Sequence, residues 1–164
     1  MTTLPFPVGT ERDALIGFLG RQREALIRKL DGLSEADLRK APTDSSLTLL
    51  GLLKHNALWE RRWFQIIAAG RTFPGEWPET ELDTDEDFRL TDEDTLAHWL
   101  EYYRAQIAAT EGVLADTDLD APCALAGHTH RNLRWVALHM IEEIARHAGH
   151  ADIIRETLDG ARGM

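Results

Sequence analysis

Residues 132–160 read NLRWVALHMIEEIARHAGHADIIRETLDG, a segment in which carboxylates and imidazoles interrupt an apolar stripe at helical spacing. Leu133, Val136, Ala137, Met140, Ile144, Ala148 and Ala151 keep the three-four step of a buried helix face. Glu143 and His147 fall along the edge of that stripe. Four residues apart, they sit about one turn, ~6 Å, from each other on one face and can grip a single ion. Burying either without a partner would be costly. The pair is therefore the beginning of a metal site, one that needs a further ligand from elsewhere in the chain.

His139 and His150 lie on the same side of this helix, within about a quarter of its circumference from the pair at ~100° per residue. His139 and His147, eight residues apart, are separated by ~12 Å along the axis, too far to share one ion. Three neighbouring pairs remain workable: His139 with Glu143, Glu143 with His147, and His147 with His150. Spacing alone does not choose among them, and the same spacing serves an ordinary ion pair on a charged helix. A second amphipathic stretch, residues 46–70 (SLTLLGLLKHNALWERRWFQIIAAG), carries His55 on its apolar face. By itself His55 reads as a core histidine with a hydrogen-bonded ring. Two helices that each turn an ionisable group inward make a shared divalent ion the more economical arrangement. Two imidazoles and a carboxylate would hold it and leave positions open for water or substrate.

His55 together with Glu143-x-x-x-His147 resembles the metal site of the DinB superfamily of four-helix proteins. The stretch LRWVALHMIEEIARHAGHADIIRE (133–156) is similar to its actinobacterial mini-circle-type branch. The resemblance implies that His55 on the second helix and the pair on the fourth hold one divalent ion. It aligns His147 as a ligand through the run ARHAGH (145–150) and leaves His150 where relatives have a glutamine. His150 and His139 are then expected beside the ligands, where they could orient a ligand or solvent. Glu143 replaces the histidine of most relatives, and in this the chain resembles the mycothiol-dependent maleylpyruvate isomerase branch. The implied cosubstrate is a low-molecular-weight thiol of the mycothiol kind. Zinc is the expected metal, with nickel, iron(II) or manganese acceptable to the same donors.

The 164 residues suit one domain over 1–164, able to bury a core, and 43% hydrophobic residues are ordinary for a globular protein. A net charge of −10 argues against a nucleic-acid partner. There is no apolar run of bilayer length, and the N-terminus MTTLPFPVGTERDAL lacks a basic region followed by an apolar core, so no membrane association is expected. A single cysteine, Cys123 beside Pro122, fits a reducing cytoplasm and reads as a small apolar loop residue. His128 and His130 receive no role. The acidic run ETELDTDEDFRLTDED (79–94) reads as a solvated loop and helix start, since it lacks the glycine and closing glutamate of a calcium loop.

Four periodic stretches give an all-α four-helix bundle, with a long crossover between the second and third helices. The first spans about 10–30, with Leu15, Phe18, Leu19, Leu26, Ile27 and Leu30 as core candidates. Ser34 begins a short turn in the connection, and the second helix runs from about Thr48 to Gly70. Thr91 with Asp94 resembles a capping box for the third helix, which carries Leu96, Trp99, Leu100, Tyr103, Ile107 and Leu114. Asn132 caps the fourth. Trp59, Trp63, Trp99 and Trp135 are expected in the core, some of them walling a pocket above the ion. The resemblance adds an up-down-down-up order, and relatives of this kind often dimerise.

Two function classes follow. In the first, the ion activates a thiol for transfer to an electrophile or for isomerisation. In the second, the protein binds metal without turnover, as a stress-response or interaction protein. A bundle without metal, in which Glu143 pairs with a protonated His147 or His55, is the third arrangement the residues allow.

Overall fold

The computed structural model describes residues 9–73 and 86–162. Residues 79–85 of the acidic run and residues 1–8 of the N-terminus lie outside them. The described chain is helical, with a single isolated bridge, Pro122 to Asn132, in a loop. Helix α1 spans Glu11–Arg28, a one-turn α2 spans Glu35–Leu38, α3 spans Leu49–Glu60, α4 spans Leu96–Asp116 and α5 spans Leu133–Asp159. Short polar side chains start them. Thr10, Ser34, Thr48, Thr95 and Asn132 each accept a backbone N–H of the first turn. Gly160 ends α5 in the left-handed conformation, φ 76°. Helix α1 packs along α5 and α3 along α4, while α3 and α5 also meet each other.

Three sequence expectations change. The third helix begins at Leu96 under Thr95, not at Thr91. Asp94 does receive the Thr91 N–H (2.6 Å), but it is buried and also takes the Trp99 indole N–H (2.7 Å), so it closes a turn ahead of the helix. The second helix reaches its expected end, yet residues Arg61–Ala68 wind as a π-helix. Five of those eight residues are buried, a wider face than one α-helical stripe offers. The loop after α4 ties the end of this stretch down, Leu125 and Ala124 donating to the carbonyls of Ile67 and Ala68. Phe18 and Trp135, expected in the core, are 42% and 38% exposed, and Ile27 is only partly buried.

The apolar core falls into two clusters. One gathers Leu19, Phe64, Val113, Leu114, Val136, Met140 and Ile144; the other gathers Leu26, Leu50, Leu53, Tyr103, Ala148 and Ala151. Each long helix also buries a polar side chain: Arg23 on α1, Asn56 and Glu60 on α3, Gln106 on α4 and His147 on α5. Arg23 and Glu60 form an ion pair, with the Arg23 Nε–H donating to Glu60 Oε2 at 3.2 Å. Gln65 donates to Gln106 Oε1 at 2.8 Å. The Tyr103 hydroxyl is buried with no hydrogen-bond partner among the described residues, and burial beside Glu60 pushes its pKa up.

Removing one member of the buried ion pair leaves an uncompensated charge. Arg23→Met is expected to lower unfolding stability by about 3–5 kcal/mol, and adding Glu60→Leu should recover most of the loss. Urea denaturation of the two variants checks this. A single variant as stable as the parent protein would show that the pair does not hold the helices together.

Candidate functional site

His55 and Asn56 occupy the middle of α3, which Thr48 starts and the apolar residues Leu49, Leu50, Leu52 and Leu53 anchor in the core. The Asn56 amide donates to the Leu52 carbonyl (2.7 Å) and lies against His147 Nδ1 of α5, with Nδ2 at 3.2 Å. The rings of His55 and His147 meet edge to face, centroids 4.8 Å apart at 81°, and both residues are buried. Phe88 covers the pair from the 3₁₀ turn Glu86–Phe88, stacked on His55 at 4.1 Å and 13°. This turn rests on Gly51, where a Cβ would come within 2.7 Å of the Phe88 carbonyl oxygen. The close approach requires glycine.

Asp87, in the same turn, accepts the Trp59 indole N–H at 2.9 Å and stands 4.0 Å from His55 Nδ1. That is too long for a hydrogen bond, and His55 Nδ1 is buried without a partner among the described residues. Burial pushes the Asp87 carboxyl upward, against the Trp59 hydrogen bond and the charges of Arg62 and Lys54. Burial also lowers His55 to about 3, helped by His147, and lowers His147 to about 4, helped by the charges of His150 and Arg146. Both imidazoles are therefore neutral near pH 7, the form that can ligate a cation.

A cavity of about 400 Å³ opens beside the pair, lined by His55, Asn56, Trp59, Trp63, Phe88, His139, Met140, Glu143 and His147. Glu143 is thus brought to the same space as His55 and His147, but its carboxylate accepts from Arg146 at 2.8 Å. As the side chains stand, no three His, Cys, Asp or Glu among the described residues are gathered as a metal-binding group, Glu143 being turned to Arg146. The pairing of Glu143 with a protonated His147 or His55 is replaced by the Arg146 contact and by two neutral imidazoles. His139 stands apart, stacked on Trp135 (4.9 Å, 17°) and edge-on to Trp63 (4.6 Å). His150 lies 6.1 Å from His147, ring to ring, with a buried Nδ1 that has no partner among the described residues. Cys123 is buried in its loop, and burial raises its thiol pKa, as a small apolar residue would be placed.

A family model of mycothiol S-transferases matches residues 14–160. The chain belongs to the mycothiol S-transferase family. This bears out the DinB resemblance and the all-α fold. A solved structure, that of a conserved protein of locus from Enterococcus faecalis, is similar in fold, with a TM-score of 0.67 at 15% identity over 94% of this chain and 100% of that one. No curated protein matches. Among the described residues of this mycothiol S-transferase family member, no helix is long and apolar enough to cross a membrane.

Three residues at the site stand outside the sequence expectations. Asn56 carries a usable signal as a lone amide in an apolar helical run, which must find a partner when buried. Asp87 and Phe88 sit inside the acidic run that reads as solvated, and Phe88 is the aromatic exception within it. Asp87 and Asp94 are instead largely buried and hydrogen-bonded.

The lowered histidines set a pH dependence. Between pH 6.5 and about 4 the unfolded chain binds protons that the folded chain does not. Stability therefore falls as pH falls, by up to about 1.4 kcal/mol per pH unit for each imidazole. Urea midpoints of metal-free protein at pH 7, 6 and 5 should decline, and His147→Met should decline less steeply. Equal slopes for both proteins would contradict the neutral, buried assignment.

Proposed function

We propose that the protein is a metal-dependent S-transferase that joins a low-molecular-weight thiol of the mycothiol kind to an electrophile. The observation that carries this is the pair of neutral imidazoles, His55 and His147, buried edge to face at the end of a cavity that also exposes Glu143. The unpartnered Nδ1 of His55 and the absence of charge on both rings fit a cation, for which neutral imidazole is the common ligand. His55, His147 and Glu143 would hold it, with zinc the best match and nickel, iron(II) or manganese acceptable. A bound divalent ion with an open position lowers the pKa of a thiol, so that the nucleophilic thiolate is present near neutral pH.

The chain's own residues do the rest. Asn56 fixes the His147 ring through Nδ1: with the Nδ1–H donating to the Asn56 Oδ1 at 3.4 Å, Nε2 keeps the lone pair that a cation takes. Trp59, Trp63, Phe88 and Met140 exclude water from the reacting groups, which strengthens every electrostatic contact in the cavity. The Glu143 carboxylate makes the site less positive than a third imidazole would, so a thiolate held there keeps more of its nucleophilicity. The reading places the protein in the cytoplasm, acting on the small-thiol pool, with a homodimer as the expected assembly.

Protein purified without a histidine tag should contain a divalent metal by elemental analysis, and saturating metal should raise its Tm. His147→Ala should stay helical and lose that increment. Metal-loaded protein with mycothiol and 1-chloro-2,4-dinitrobenzene should form the conjugate faster than metal-free protein, with bacillithiol and glutathione as comparison thiols. Metal binding without any acceleration, across these thiols, would instead support a metal-binding protein without turnover. Metal bound as tightly by His147→Ala would place the ion elsewhere.

A further inference from the structure

We infer that the aromatic wall of the cavity seats the second substrate, and that this substrate is a flat, uncharged aromatic compound. The name electrophile for it rests on the transfer reading above; the binding site does not. The wall is a continuous set of ring contacts leading away from the imidazoles. Trp59 lies 5.5 Å from His55, Trp63 lies 6.3 Å from Trp59, and His139 lies 4.6 Å from Trp63, centroid to centroid. Met140 adds a polarisable thioether to the same lining, and Phe88 stands beside the imidazoles. These spacings are those at which aromatic rings contact one another in offset or edge-on arrangements, so a flat ring entering the cavity meets faces and edges already in place.

Charge decides which flat compounds fit. No lysine or arginine is among the described residues that line the cavity, and its one carboxylate is Glu143. Asp87 adds a second carboxylate, bonded to the Trp59 indole N–H. Three arginines stand at the margin of the cavity, outside its lining. Arg62 stacks over the Trp59 ring at 5.1 Å, where the Asp87 charge acts on it. Arg131 lies over Trp135 at 4.6 Å and over Trp63 at 5.8 Å, and Arg146 is held by Glu142 and Glu143. Away from the imidazole end, a carboxylate carried in by the substrate would be desolvated with no lysine or arginine in the lining and would face Glu143. An uncharged ring avoids both costs. Size agrees: an apolar cavity of roughly 150 Å³ takes benzene, and about 400 Å³ leaves room for ring substituents beside a thiol. Because Trp59 is one ring away from His55, a compound stacked on the wall would present its edge to the imidazole end.

The test uses the full-length, untagged protein and two compounds without a leaving group, 1,3-dinitrobenzene and 3,5-dinitrobenzoate. Both quench tryptophan fluorescence. We expect saturable quenching by 1,3-dinitrobenzene and at least tenfold weaker binding of 3,5-dinitrobenzoate. Trp63→Leu should weaken 1,3-dinitrobenzene binding at least tenfold, read through the remaining tryptophans. Trp59→Leu, at a partly buried position, serves the same purpose where Trp63→Leu does not fold. Equal binding of the two compounds, or unchanged binding by the variants, overturns the inference. Expected binding with no thiol conjugate from 1-chloro-2,4-dinitrobenzene would overturn the transfer reading and leave this site standing. Conjugation without saturable 1,3-dinitrobenzene binding would do the reverse.

Discussion

Arg23, Gln106 and His147 lose their water inside the bundle, and their partners on the second long helical stretch, Glu60, Gln65 and Asn56, are what make that tolerable. A buried charge or amide without a partner costs more than most apolar contacts return. Each long helix must therefore bring its polar group to its own partner, which fixes how far the helices can slide or turn against one another. The two apolar clusters are generic in composition, rich in leucine, isoleucine and alanine, and would pack in several registers. The ion pair of Arg23 with Glu60 and the contact of Gln65 with Gln106 admit far fewer. Breaking such a buried ion pair is costly, although an apolar pair of the same shape could be as stable.

The site is where one of these polar contacts, Asn56 with His147, reaches a cavity. Asn56 and Glu60 lie one turn apart on α3, so the helix that answers Arg23 also sets the amide against His147. His55, next in sequence to Asn56, turns toward the cavity while Asn56 stays in the core. The two imidazoles remain neutral because the surrounding rings keep them dry, and that same dryness is what a cation or a thiol would meet on arrival. Structure and chemistry draw here on one property, the exclusion of water at the α3–α5 contact.

Much of this is legible in the sequence, for reasons that can be named. The stripe from Leu133 to Ala151 is buried at every expected position because α5 is long, regular and flanked by both α1 and α3. Thr48, Ser34 and Asn132 cap where expected because capping is a local interaction over three residues. Thr91 does not cap the third helix, and the reason is tertiary: Asp94 is drawn to Trp99 and Lys54, and Thr95 is left to start the helix. The π-helical winding of Arg61–Ala68 has no local signal, since it depends on what packs around it. Spacing singles out His55 and His147, and the structure brings their rings together. Glu143 reaches the cavity, but the choice of its partner lies between Arg146 and the imidazoles, which spacing does not rank. Asp87 and Phe88 stay hidden because a residue after a long connection can land anywhere.

Gly51 gives that landing place a particular character. The turn at Glu86–Phe88 touches α3 main chain to side-chain-less main chain, with no room for a methyl group between them. The height of the cavity's ceiling is therefore set by backbone, and the side chains at 87 and 88 add contacts below it without setting that height. Exchanging those two side chains would recolour the ceiling, more polar or less, larger or smaller, and leave it at the same level. A change at position 51 does the opposite, shifting the whole ceiling without altering its chemistry. Lining and depth of the cavity are thus separately adjustable.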